Sequence, residues 1–215
     1  MNIDNISVLL VDDHELVRSG IQYLLDAAPD IDVVAAASSG EEAIQLAEQL
    51  KPNVILMDLN MPGIGGSEAI KRILRKTPSA KIIALSVYDD GPIPHQALKL
   101  GARGYINKGC PVDEMIKAIV AVFKGKNYLS SDVATNLIFS AQETEKNAFS
   151  QLSSRELQIA IKIVDGHKIS DIATALSISP KTVNTHRYRV HEKLGISNDI
   201  ELVKLAVEHG LLGNL

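Results

Sequence analysis

Short apolar runs that each end on a charged or hydroxyl residue constrain this chain more than any other feature. Ile6–Val11 ends on Asp12 and Asp13, Val54–Met57 on Asp58, Lys81–Leu85 on Ser86, and Gly104–Ile106 leads to Lys108. Runs this short, bounded by turn formers or charges, read as strands of a parallel sheet buried on both faces. Between them, apolar residues recur three and four apart, as in Leu16, Leu24 and Leu25, in Ala43, Ile44, Ala47 and Leu50, and in Met115, Ile119, Val120 and Phe123. That alternation predicts an α/β, doubly wound, parallel five-stranded sheet with strands near 6–11, 31–37, 53–57, 81–86 and 104–106. Such sheets bind ligands outside the carboxyl ends of their strands, so the four polar sites should converge.

Past residue 124 the pattern changes. Residues 125–149 read as a linker with one short helix over Asp132–Ala141 and a polar hinge over Gln142–Phe149. Residues 150–215 read as an all-α four-helix unit. Its punctuation is clear. Ser153 with Glu156 is a capping box, as is Ser38 with Glu41 in the first half. Gly166 ends the first helix, Ser179-Pro180 opens the third, Gly195 closes it, and Asn198 with Glu201 caps a fourth. A short second helix over Ile169–Leu176 and a turn at Ser177–Ser179 give helix-turn-helix geometry. The predicted domains are therefore 1–124, 125–149 and 150–215.

Bulk composition narrows the class. A hydrophobic content of 46% supports packed cores. Cys110 is the single cysteine, which excludes an intramolecular disulfide and fits a reducing compartment. Met1–Asn5 carries no basic n-region, and no apolar run reaches the roughly 18 residues of a membrane helix, so a cytoplasmic location is expected. The net charge of −4 hides an asymmetry: residues 150–215 hold eight Lys/Arg against seven Asp/Glu, and residues 1–149 hold fourteen against nineteen.

Three carboxylates at one sheet edge repel strongly, each pair at about 4 Å costing on the order of 4 kcal/mol at an effective dielectric of 20. Lys108 offsets one charge, and a hard divalent cation, Mg²⁺, suits the remainder. Asp58, on the strand between the other clusters, is the expected nucleophile toward a phosphoryl group, helped by the metal and Lys108. Ser86 is short enough to hydrogen-bond the product. A lone Asp, Lys or Ser at a strand end is ordinarily a cap or a solvated group, but four together point to shared chemistry.

These residues, in Val8–Asp13, Met57–Gly63 and Gly104–Lys108, resemble the receiver domain of bacterial response regulators over roughly residues 5–124. The resemblance implies that Asp58 accepts a phosphoryl group from a sensor histidine kinase or its phosphotransfer domain. It also implies that Asp13, Asp58 and the Asn60 backbone carbonyl hold Mg²⁺, with Asp12 assisting. Ser86 and Tyr105 become the switch pair, Ser86 moving to the phosphoryl group and the Tyr105 ring turning inward. Val87, where a smaller residue is common, is expected to slow self-dephosphorylation.

On the helix opened by Ser179-Pro180, Lys181, Asn184, Thr185 and Tyr188 share one face, and Val183, Val190 and Leu194 mark the opposite, buried one. An apolar back and a basic, hydrogen-bonding front suit the major groove of DNA. Asn184 can read adenine and Thr185 a thymine methyl, while Lys181, Arg187, Arg189 and Lys193 can hold phosphates. Leu152–Glu156, Ile172-Ala173, Ser179–Val183, His186 and Lys193-Leu194 resemble the LuxR-type helix-turn-helix, the NarL/FixJ group of response regulators, and Thr182–Arg189 is most similar to the GacA/UvrY/LetA subgroup. The implied DNA-contacting set is Lys181, Thr182, Asn184, Thr185, Arg187, Tyr188, Arg189 and Lys193. Arg187 falls where the broader group often has an apolar residue; a phosphate and Glu192 are both open as its partner. The subgroup implies activation of small regulatory RNA genes, a BarA/GacS-type kinase, RNA polymerase as a partner and a homodimer on DNA.

The expectation is therefore a transcription regulator switched at Asp58, not an enzyme, and the sequence leaves open whether its acidic receiver masks the basic helix at rest. The alternative is a phosphorylation-independent DNA-binding regulator whose receiver only dimerises. A Mg²⁺-dependent phosphatase would need a second acid/base two positions after the nucleophile, where the chain has Asn60.

Overall fold

In the computed structural model, residues 5–140 and 148–209 are described, 138–140 through their backbone alone. The first half alternates as expected: β1 (Ile6–Val11), α1 (Glu15–Asp26), β2 (Ile31–Ala37), α2 (Gly40–Leu50), β3 (Val54–Asp58), α3 (Gly65–Lys76), β4 (Ile82–Ser86), α4 (Pro92–Lys99), β5 (Gly104–Asn107) and α5 (Val112–Phe123). All strand pairs are parallel, in the order β2-β1-β3-β4-β5-β6. The sixth strand, β6 (Tyr128–Leu129), is an addition to the expected five. It arises from the stretch read as linker, pairing Gly104 with Tyr128 and Tyr105 with Leu129.

Alternation along each strand builds two cores. Leu9, Val11, Ile55, Met57, Ile82, Ala84 and Tyr105 face α2, α3 and α4, while Val8, Leu10, Val54, Leu56, Ile83 and Leu85 face α1 and α5. Each such side chain stabilises the fold by about 1.5–3 kcal/mol when fully buried. Gly66 lets α3 close on β3: a Cβ there would lie 1.8 Å from the Asp58 carbonyl oxygen.

After β6 come α6 (Ser131–Ser140), a short 3₁₀ turn (Ala148–Gln151), α7 (Ser154–Val164), α8 (Ile169–Ala175), α9 (Pro180–Leu194) and α10 (Asp199–Glu208). The polar stretch expected as a hinge, Gln142–Phe149, lies mostly outside the described residues. The Ser153–Glu156 capping box forms, Ser179 caps α9, Gly195 ends it in the left-handed conformation, and Asn198 caps α10. In the first half the cap sits one residue later than expected: Ser39 accepts from the Glu42 amide, and the Glu42 carboxylate reaches back to the Ser38 amide. The two bonds are thus split between neighbouring serines, unlike the capping box of Ser153 and Glu156. The core facing α3 and α4 continues into the helical half through Leu152, Leu157 and Ile161. No helix among the described residues is long and apolar enough to cross a membrane.

Candidate functional site: an acidic phosphoacceptor centre and an exposed basic helix

Strand register assembles the first site. Val11 pairs with Met57, so Asp12 and Asp58 leave adjacent strands side by side. Asp58 pairs with Leu85 and Ser86 with Asn107, bringing Ser86 and Lys108 to the same edge. The Lys108 backbone amide donates to the Ser86 carbonyl at 2.8 Å, and its Nζ lies 2.7 Å from both Asp12 Oδ2 and Asp58 Oδ2. Asp12, Asp58 and Ser86 are fully buried. Asp58 Oδ1 accepts the Asn60 amide at 2.9 Å, and Asp12 Oδ1 accepts the His14 amide at 2.8 Å.

The electrostatics of this edge favour a further cation. Burial pushes the Asp58 carboxyl up to about 6, against the pull of Lys108 and the Asn60 amide. Burial also opposes the Lys108 ammonium, yet Asp58 and Asp12 hold it above the usual lysine range. One lysine thus pairs with two of the three carboxylates, and the third, Asp13, has the His14 ring nitrogen 3.1 Å from its Oδ1. Carboxylate oxygens of Asp12, Asp13 and Asp58 and a ring nitrogen of His14 lie within 4.8 Å of one another. A hard divalent cation fits this oxygen-rich set.

Ser86 and Tyr105, the expected switch pair, are joined through Tyr88. Ser86 Oγ accepts the Tyr88 amide at 3.2 Å, and the Tyr105 hydroxyl donates to the Tyr88 carbonyl at 2.6 Å. The Tyr105 ring is already fully buried, in one core with Val133 of α6 and Leu129 of β6. β6 and α6 build the wall against which the ring lies. The Tyr88–Asp89 segment is also held by Asn107, bonded to the Asp89 carboxylate at 2.8 Å, and by Asn136 of α6, which donates to the Asp89 carbonyl at 3.2 Å.

On α9, Lys181, Asn184, Thr185, Tyr188 and Arg189 are exposed, while Val183 and Val190 are buried against α7 and α8. This face of α9 is thus open to solvent. The receiver half meets α7 instead: Gln158 Nε2 donates to the Leu59 carbonyl at 3.0 Å, and Gln96 Nε2 to the Leu152 carbonyl at 3.1 Å. Bulk charge asymmetry favoured association of the halves, but apolar contacts and these two amides decide which surfaces meet.

Residues 8–120 match the response regulator receiver domain family, and residues 150–206 match the bacterial regulatory proteins of the luxR family. The response regulator GacA of Pseudomonas protegens is 49% identical over 208 residues, covering 96% of this chain and 98% of that protein. The response regulator UvrY of Escherichia coli is 47% identical, over 96% of this chain and 95% of its own. The chain belongs to the response regulators with a LuxR-family DNA-binding domain. Solved structures agree in fold. The RcsB response regulator of Salmonella typhimurium superposes with a TM-score of 0.68 at 29% identity, over 95% of this chain and 98% of its own. An RcsB–DNA complex superposes with a TM-score of 0.60 at 29% identity, over 94% and 98% of the two chains.

Two cations expected on DNA are committed elsewhere in this response regulator. Arg187 Nε pairs with Asp199 of α10 at 2.8 Å, and His191 Nε2 lies 3.0 Å from the same carboxylate oxygen. Within the chain the partner of Arg187 is Asp199, where Glu192 was one of the two expected. Lys193 Nζ pairs with Glu156 Oε2 at 2.6 Å, tying the end of α9 to the cap of α7. Thr182 Oγ1 shares a hydrogen bond with Ser179 Oγ at 2.8 Å, inside the cap. Three contributors escaped sequence reasoning: His14, Gln96 and Gln158. Adjacency to the Asp12-Asp13 pair was the one available signal for His14; the two glutamines carry none.

Proposed function

We propose that this response regulator is switched by phosphorylation at Asp58 and delivers the signal through α9 to promoter DNA. The observation that carries the reading is the Lys108 ammonium bridging the buried carboxylates of Asp12 and Asp58, one lysine within a cluster of three carboxylates. Asp13, Asp58 and the Asn60 carbonyl would hold Mg²⁺, with Asp12 assisting; bound there, the ion supplies charge neutralisation to phosphoryl oxygens. An Asp58 carboxylate oxygen forms the new bond to phosphorus while the bond from phosphorus to the donor's leaving group breaks. Lys108 then pairs with the phosphoryl oxygens, and the Ser86 hydroxyl, freed from Tyr88, donates to one of them. A shift of Ser86 is felt at Tyr88, where Tyr105 is also anchored.

We further propose a receiver over 1–124, a connecting segment over 125–149 and a DNA-binding domain over 150–215. On DNA, Asn184 and Thr185 read bases from the exposed face of α9, Lys181 and Arg189 hold phosphates, and Tyr188 packs beside them. The phosphodonor is a sensor histidine kinase or its phosphotransfer domain, the DNA-bound form is a homodimer, and RNA polymerase is its downstream partner. Similarity to GacA and UvrY supports small regulatory RNA genes as targets.

The test is a DNA titration with and without acetyl phosphate and Mg²⁺, beside Asp58→Ala. Tighter sequence-specific binding on phosphorylation, absent in the variant, is the expected result. Equal binding in all samples would remove phosphorylation from the mechanism.

A further inference from the structure

The helical domain reaches the mouth of the acidic centre. A cleft of about 330 Å³ lies between them, with Asp13, Asn60 and Tyr88 on the receiver side and Lys162, Asp165 and Leu176 on the other. Among the described residues Lys162 is the one lysine or arginine in its lining, so the helical domain contributes a cation to the cleft that Asp13 also lines. Two amides close the contact in opposite directions: Gln158 of α7 donates to Leu59, and Gln96 of α4 donates to Leu152. On the far side the mouth stays open, with the His14 side chain 64% exposed and Val87 60% exposed.

We propose that the docked helical domain is a size filter on phosphodonors, passing small acyl phosphates to Asp58 and excluding a folded phosphohistidine protein until α7 lets go. The inference rests on the reading of Asp58 as the phosphoacceptor. Two magnitudes separate the donors. A cleft of about 330 Å³ has room for about ten water molecules at their share of liquid volume, more than a two-carbon acyl phosphate occupies. A protein donor instead covers about 800 Å² of its partner, a disc of roughly 16 Å radius centred on the reacting histidine. Asn60 and Tyr88 border Asp58 inside any such disc, and α7 and α8 stand over them. In either transfer the phosphorus–donor bond breaks as the bond to Asp58 forms, releasing acetate from acetyl phosphate or, from a phosphohistidine whose other ring nitrogen has taken a proton from solvent, a neutral imidazole.

The experiment uses the full chain and the isosteric double variant Gln96→Glu/Gln158→Glu, in which each donor amide becomes a carboxylate facing a carbonyl oxygen. Each protein is phosphorylated with acetyl phosphate and Mg²⁺, and separately by a purified, radiolabelled histidine-phosphotransfer domain. Losing both clasps raises the open population, so transfer from the protein donor should accelerate by about tenfold or more. The acetyl phosphate rate should stay within about twofold, since that donor reaches Asp58 in either state. This second arm also reports that the acidic centre of the variant is folded. Equal acceleration with both donors, or no acceleration with the protein donor, would overturn the filter. An Asp58→Asn control still labelled by either donor would instead sink the phosphoacceptor reading.

Discussion

Gln158 donates its side-chain amide to the carbonyl oxygen of Leu59 at 3.0 Å, across 99 residues of sequence and one residue past Asp58. The same carbonyl accepts the Gly66 amide at 3.3 Å, and the Leu59 amide donates to Leu85 of the neighbouring strand at 3.1 Å. The backbone leaving Asp58 is thus shared by strand, helix and output domain. A displacement at the phosphoacceptor that moves this peptide alters the docking bond directly, without a relay of side chains. A neutral hydrogen bond of this kind contributes about 1 kcal/mol, enough to bias an equilibrium without locking it.

Asp58 should cost stability at neutral pH when no divalent ion is present. Its folded-state value of about 6 against 3.8 means the folded chain holds a proton that the unfolded chain releases between those pH values. Stability therefore falls as pH rises through that window, by about 3 kcal/mol in all. In EDTA, Asp58→Asn is expected to melt higher than the parent at pH 7.5 and to converge with it near pH 4. Mg²⁺ should raise the parent's melting temperature and leave the variant unmoved. A pH-independent difference would contradict the assignment.

Gly66→Ala has no room. The added methyl would meet the Asp58 carbonyl oxygen at 1.8 Å, and the neighbours it strikes are backbone. A loss of about 3 kcal/mol or more is expected in urea unfolding, or no folded receiver at all. Gly20→Ala is the control, because a Cβ there meets nothing within 4 Å.

Three α9 substitutions should separate by mechanism in fluorescence anisotropy across salt. Asn184→Ala should cost about 1–3 kcal/mol on the specific site and little on random DNA. Lys181→Ala should weaken both alike and lower the salt slope by about one. Arg187→Ala should leave the slope unchanged and lower thermal stability, since its guanidinium holds Asp199. A reduced slope for Arg187→Ala would return that residue to the phosphate-contacting set.

Glu156 ties three features of the helical domain together. Its carboxylate accepts the Ser153 amide at 2.7 Å and pairs with Lys193 at 2.6 Å. Burial alone would raise its pKa, but Lys193 and Ser153 hold it below the usual carboxylate range. The stabilisation is therefore present above pH 4.5 and is lost as pH falls through the lowered value. Glu156→Gln is expected to cost about 2 kcal/mol at pH 7 by chemical denaturation. The deficit should shrink in acid, and one constant down to pH 3 would refute this account.

The acidic centre was legible because its members stand at strand ends, where parallel topology leaves little choice of where they meet. Asp12, Asp58, Ser86 and Lys108 could be grouped before any coordinates for that reason. The strand β6 was not legible: two residues, Tyr128 and Leu129, are too few to set a period, and their pairing with Gly104 and Tyr105 decides them. On α9 the front face followed from helical spacing. The fates of Arg187 and Lys193 did not, because their partners, Asp199 and Glu156, belong to other helices. The domain clasp was invisible for the same reason, since glutamines on helix surfaces carry no periodic signal.

By fastening the chain to the edge of the sheet, β6 and α6 shorten the leash on the output domain. Val133 of α6 and Phe149 at the start of the helical half lie in one buried core. A domain held that close sees its docking surface at a local concentration in the millimolar range. A contact too feeble to survive between separate molecules can then be occupied much of the time, and a small change at Asp58 suffices to vacate it.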